Sequence, residues 1–122
     1  MAKTVLIIED EPHIIEAISF LLSRDGWDVV THSDGGTALE RMTALDVDLV
    51  ILDVMLPNKS GFDILKEMRA SARFAKKPVL MLTAKGQKRD RQAAEELGAS
   101  YFMSKPFSNQ EILEAVKKLS GS

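Results

Sequence analysis

Hydrophobic positions along this chain alternate between two periods. Short runs rich in Val, Ile and Leu occupy residues 5–8, 29–31, 49–52 and 79–82, and a fifth apolar run of Tyr, Phe and Met lies around 101–103. Between them, apolar residues recur at the spacing of one helix face. In the first such stretch these are Ile14, Ile15, Ile18, Leu21 and Leu22, stopped by Asp25-Gly26. A second runs from about 34 to 45 with Ala38, Leu39, Met42 and Leu45 apolar. The third opens at Ser60-Gly61-Phe62-Asp63, where an acid three residues after a serine suits a capping box, and turns Ile64, Leu65 and Met68 inward. The fourth covers roughly 87 to 97 and ends at Gly98, a residue suited to the position just past a helix. The last begins with the capping pattern Ser108-Asn109-Gln110-Glu111 and carries Ile112, Leu113, Val116 and Leu119. The loosest connection expected is 70–78.

Five strand–helix units with continuous apolar central strands predict an α/β fold, a parallel sheet covered by helices on both faces. In such sheets ligands bind outside the carboxyl ends of the strands, at a switch in strand order. At 122 residues the chain is expected to be one domain over 1–122, with its core from about 3 to 119. Its 45% apolar and 28% charged residues are ordinary for a globular protein, and a formal charge of −2 gives no reason to expect nucleic-acid binding. The absence of cysteine excludes disulfides and thiolate chemistry. No signal-like segment opens the chain and no apolar run approaches the ~20 residues a bilayer requires, so a cytoplasmic protein is expected, without membrane contact.

Chemistry gathers at the strand ends. Glu9-Asp10 follow the first run, Asp53 ends the third, Thr83 the fourth, and Lys105 comes shortly after the fifth. A carboxylate ending a buried strand is half stripped of water, a costly place for a charge without a partner. Three clustered carboxylates repel one another, and a divalent cation removes that penalty. Oxygen ligands without His or Cys favour Mg²⁺. The plainer alternative is that Glu9 and Asp10 serve the N-terminus of the helix near Pro12. Lys105 reads either as a structural ion-pair partner or as a point charge for a phosphoryl group, with Thr83 and the Ala84 amide as further donors. Asp53, central among them, suits a nucleophile that forms an aspartyl phosphate.

These residues, in this order, resemble the receiver domain of bacterial two-component response regulators: Glu9-Asp10, Asp53, Met55-Leu56-Pro57-Asn58-Lys59-Ser60-Gly61, Thr83-Ala84 and Lys105-Pro106-Phe107. The resemblance implies a flavodoxin-like fold of strand order 2-1-3-4-5. It implies transfer of a phosphoryl group to Asp53 from the phosphohistidine of a sensor histidine kinase or histidine phosphotransferase. Mg²⁺ would be held by Asp10, Asp53 and the Met55 carbonyl, with Glu9 acting through water, while Thr83, Ala84 and Lys105 contact the phosphoryl oxygens. Thr83 and Phe102 would form the switch: Thr83 moves toward the phosphate and Phe102 turns inward, remodelling the face of the fourth helix, fifth strand and fifth helix. Ordinary core packing is the alternative for Phe102. Adjacent Tyr101 should point to the opposite side. Output would pass to a downstream protein or a tethered output domain, the chain being a single-domain regulator or an excised receiver. Monomer and phosphorylation-dependent dimer are both open. The acidic pair that one transcription-factor branch carries after Gly-Ala is replaced here by Ser100-Tyr101, following Gly98-Ala99.

Other features stand beside this reading. His13 and His32 are expected at the surface, while Lys85, Lys88, Arg89 and Arg91 form either a solvated basic face or a partner surface. Met55 and Lys85, each two residues past a site residue, flank the path of a water attacking an acyl phosphate. An aspartate-nucleophile phosphatase needs an acid two residues after its nucleophile; Met55 stands there, so a turnover enzyme is not expected. A flavin or nucleotide module would want glycine or hydroxyl residues where Glu9-Asp10-Glu11 would repel the phosphate.

Overall fold

The computed structural model describes residues 2–84 and 88–121. Strands β1 (Thr4–Ile8), β2 (Asp28–His32), β3 (Leu49–Asp53), β4 (Val79–Thr83) and β5 (Tyr101–Ser104) alternate with helices α1 (Pro12–Arg24), α2 (Ala38–Ala44), α3 (Gly61–Ala70), α4 (Lys88–Glu96) and α5 (Asn109–Ser120). The strands pair in parallel in the order 2-1-3-4-5, the flavodoxin-like arrangement expected.

The pleat divides the core in two. Leu6, Ile8, Val50, Leu52, Val79 and Met81 pack toward α2, α3 and α4, meeting Met42, Ile64, Leu65, Met68 and Ala94. The residues between them, Val5, Ile7, Leu49, Ile51, Leu80 and Leu82, pack toward α1 and α5, meeting Ile18, Leu22, Ile112 and Val116. Burial on both faces explains why β1, β3 and β4 read as unbroken apolar runs. Each aliphatic side chain so buried is worth about 1.5–3 kcal/mol, and together they hold the strand ends rigid. Among the described residues no helix is long and apolar enough to cross a membrane.

Local signals hold with small differences. Ser108 and Glu111 make the full reciprocal capping box at α5. At α3, Ser60 Oγ accepts from the Asp63 amide at 3.2 Å. The stretch expected as helix from residue 34 begins instead as a 3₁₀ turn, Gly35–Thr37, with the Asp34 carboxylate accepting from the Gly36 amide. Gln87, expected to start α4, lies outside the described residues. The segment 70–78 is better tied than its composition implied. Arg69 donates to the carbonyls of Gly98 and Phe74, Arg73 to those of Thr43 and Leu45, and Phe74 is buried between them. Two arginines do there what periodicity cannot reveal.

Candidate functional site

Parallel register brings the ends of β1, β3, β4 and β5 to one edge, with Ile8 beside Leu52, Asp53 beside Leu82 and Thr83 beside Ser104. Glu9, Asp53 and Thr83 are 0, 2 and 3% exposed, whereas Asp10 faces solvent. Lys105 Nζ lies 2.7 Å from Glu9 Oε1, 3.4 Å from Asp53 Oδ1 and 3.5 Å from Glu11 Oε1. Glu9, Asp10 and Asp53 each offer an oxygen within 4.8 Å of the others. The edge therefore assembles as expected, and Glu11, not paired with Lys105 from the sequence, joins the cluster.

Glu9 Oε2 accepts from the amides of Asp10 and Glu11, both at 3.1 Å, and its other oxygen faces Lys105. The N-cap of α1 is Glu11, with no side-chain bond to the helix amides. Glu9 thus serves the two amides just ahead of α1 with one oxygen and the Lys105 ammonium with the other. The ion-pair alternative for Lys105 does hold, and it sits within the acidic cluster.

Electrostatics make the site demanding. Burial, then the nearby Glu9 carboxylate, push the Asp53 carboxyl up to about 7, with Lys105 opposing. Burial pulls the Lys105 ammonium down, but Glu9, Asp53 and Glu11 outweigh it and hold its pKa above the usual range. One buried ammonium answers two buried carboxylates, and Asp10 adds a further negative charge. Asp53 Oδ1 and Glu9 Oε1 are buried without an aligned hydrogen bond. An all-oxygen set with excess negative charge and unsatisfied oxygens fits a hard divalent cation.

The loop leaving β3 wraps this edge. Val54 N donates to Leu82 O at 2.9 Å and Gly61 N to Val54 O at 2.8 Å. A Cβ on Gly61 would lie 2.1 Å from the Asp53 carbonyl oxygen, so only glycine lets α3 start against that peptide. Met55 is 71% exposed and Ala84 is exposed at the mouth. The Lys105–Pro106 peptide is cis.

Phe102 is buried, 8% exposed, in the layer of Met81 and Ala94, with the Arg91 guanidinium 5.8 Å from its ring centre. Phenylalanine has no hydroxyl to draw it toward water, which suits this burial. Tyr101 points to the other side as expected, 41% exposed, with Lys118 Nζ 5.9 Å from its ring centre. His13 is exposed; His32 is half-buried, its Nε2 2.7 Å from Thr37 Oγ1. Lys88, Arg89 and Arg91 are exposed on α4, while Lys85 lies outside the described residues.

The family model for the response regulator receiver domain matches residues 5–117. The alkaline phosphatase synthesis transcriptional regulatory protein PhoP of Bacillus subtilis (strain 168) is 40% identical over 119 residues, covering 98% of this chain and 49% of that protein. The chain thus spans about half the length of this curated relative. A protein assigned as a response regulator from Chloroflexus aurantiacus J-10-fl superposes with a TM-score of 0.95 at 31% identity, over all of both chains. The receiver domain of sensor histidine kinase PA1611 from Pseudomonas aeruginosa PAO1, solved with a magnesium ion in its active-site cleft, gives 0.90 at 26% identity, again over all of both chains. With its fold, its acidic strand-end cluster and a family match over nearly the whole length, the chain belongs to the response regulator receiver family.

Proposed function

We propose that Asp53 accepts a phosphoryl group from a partner's phosphohistidine and that the domain transmits the change through the α4–β5–α5 face. The observation that carries this is the buried Asp53 carboxylate, 3.4 Å from the Lys105 ammonium and clustered with Glu9 and Asp10. An Asp53 oxygen attacks phosphorus, a P–O bond forms, and the P–N bond breaks with its electron pair leaving on the imidazole, which takes a proton from solvent. Lys105 offsets charge gathering on the phosphoryl oxygens, and the Thr83 hydroxyl and Ala84 amide donate to them. Glu9, Asp10, Asp53 and the Met55 carbonyl would hold Mg²⁺. When bound, that ion relieves repulsion among the carboxylates and draws in the phosphoryl oxygens. The chain works on itself and is a switch rather than a turnover enzyme. A sensor histidine kinase or phosphotransferase is the donor, a downstream protein or tethered domain the recipient, and the cytoplasm the location.

The pleat supports the relay. Thr83 shares the sheet face of Met81, which is in register with Phe102, so the hydroxyl and the ring lie on one side of the sheet. Phe102 is buried, so the inward packing is one the fold accommodates, and phosphorylation would raise its population. Intact mass after acetyl phosphate and Mg²⁺ tests the reading. One phosphoryl group should be gained, with NMR shifts around Phe102 and Arg91. No gain in mass would overturn the reading.

Exposed Met55 supplies bulk and no base beside the acyl phosphate. Met55→Glu is expected to shorten the phosphoryl lifetime about 10²-fold, the lower end of general-base assistance. Dephosphorylation timed by mass spectrometry checks this; an equal lifetime would show that Met55 does not restrict water.

A further inference from the structure

We infer that Asp34 and Asn58 form a latch between two loops that sets the position of the Met55 carbonyl, and with it the affinity for the divalent ion; this rests on the proposed Mg²⁺ site. The two loops come from different units of the fold, β2–α2 and β3–α3. Asn58 Nδ2 donates to Asp34 Oδ1 at 2.9 Å, and that same oxygen accepts from the Gly36 amide at 2.8 Å. Beside it the Gly35 amide donates to Pro57 O at 3.1 Å. The loops touch so closely that a Cβ on Gly35 would lie 2.1 Å from Lys59 O. Asn58 adopts φ +69°, the left-handed region where asparagine is among the few tolerated side chains.

The consequence follows from where the loop is otherwise held. Its base is fixed by Val54 N to Leu82 O and by Gly61 N to Val54 O. Between these points Pro57 and Asn58 are tied to the β2–α2 loop, while Lys59 pairs with Glu67 of α3 and Leu56 packs against the core, so the first hydrogen bond to the crest's backbone after Met55 comes from the β2–α2 loop. Met55, two residues past Asp53 and 71% exposed, stands between the base and that latch. A backbone carbonyl cannot be placed by its own side chain; it goes where the loop is pinned. Outer partners of this kind commonly govern metal affinity by a factor of ten or more. Asp34 and Asn58 are therefore positioning residues, without contact to the ion or the phosphoryl group. The hydrogen bonds from Asn58 and Gly36 also hold the Asp34 carboxyl below its ordinary pKa, so it is charged when it accepts them.

Asn58→Gly separates the latch from backbone strain, because glycine keeps the left-handed conformation and removes only the amide. Mg²⁺ titration of the whole chain, followed by NMR shifts at Asp10 and Asp53, should show Kd raised about tenfold in Asn58→Gly and in Asp34→Ala. The double variant should be no worse than Asp34→Ala, since Asn58 acts through Asp34. Asp34→Asn, which keeps an accepting oxygen, should restore most of the affinity. Urea unfolding without divalent ion should change little between wild type and Asn58→Gly. An unchanged Mg²⁺ Kd in both single variants, with wild type binding normally, overturns the latch. Wild type that binds no Mg²⁺ overturns the underlying site instead.

Discussion

Asp53→Asn is expected to abolish phosphoryl uptake and, without divalent ion, to make the protein more stable above pH 7. The loss of uptake is immediate, because the amide offers no anionic oxygen to phosphorus. The gain in stability comes from linkage. The folded-state pKa of Asp53 is pushed from an ordinary 3.8 up to about 7, by burial first and the Glu9 charge second. Between these values the folded protein keeps a proton that the unfolded chain releases, so stability falls as pH rises through the window. Below it Asp53 costs nothing; above it the full penalty is present. At about 1.4 kcal/mol per pKa unit the ceiling is about 4 kcal/mol, and relaxation of the site brings the expected gain to roughly 2 kcal/mol. Urea denaturation across this pH range, wild type against Asp53→Asn, should give curves that coincide in acid and separate toward pH 7. Parallel curves would reject the buried-charge account. Added Mg²⁺ should stabilise wild type more than the variant, closing the gap.

Lys105→Met should be the most damaging substitution that leaves Asp53 in place. Its ammonium is the buried counter-charge to Glu9 and Asp53, at 2.7 and 3.4 Å. Removing it leaves two buried carboxylates facing each other, and breaking such a pair costs about 3–5 kcal/mol. The cost should be smaller in acid, where Asp53 takes up a proton and the repulsion relaxes. Because the folded-state pKa of Lys105 is raised, its own contribution is fully present below the usual lysine range and fades only in strong alkali. Phosphoryl uptake should fall about 10²–10³-fold, the usual cost of losing a charge aimed at the transition state. Mg²⁺ should recover part of the stability and little of the rate. Uptake from acetyl phosphate at saturating Mg²⁺ measures this, and a rate within a factor of about two of wild type would remove Lys105 from the chemistry.

The parts visible in the chain were those whose physics is local. Val79 to Leu82 read as a buried strand because both faces are covered, and Ser108 with Glu111 read as a helix start because the capping box spans four residues. Asp53, Thr83 and Lys105 were legible as site residues because each sits where an apolar run stops. Hidden from that reading were contacts between segments far apart in sequence. Glu11 joining the Lys105 cluster, Arg69 and Arg73 tying down 70–78, and Asp34 meeting Asn58 follow no period. Gly61 looked like a helix-start residue; its reason is the Asp53 carbonyl against its α-carbon. Phe102 was legible as a core or switch position, but its inward placement depended on Met81, Ala94 and Arg91 around it.

Alternating apolar and polar positions by themselves determined five strand–helix units and put acid, hydroxyl and ammonium groups at strand ends. Hydrophobic burial at period 2 or 3.6 is written in neighbouring residues, so it can be read without coordinates. Tertiary structure alone decided which carboxylate faces Lys105, how far Asp53 is stripped of water, and what pins the loop after β3. Those depend on distances of 2.7 to 3.5 Å between residues dozens of positions apart, and Coulomb energy and desolvation are set by such distances, not by order along the chain.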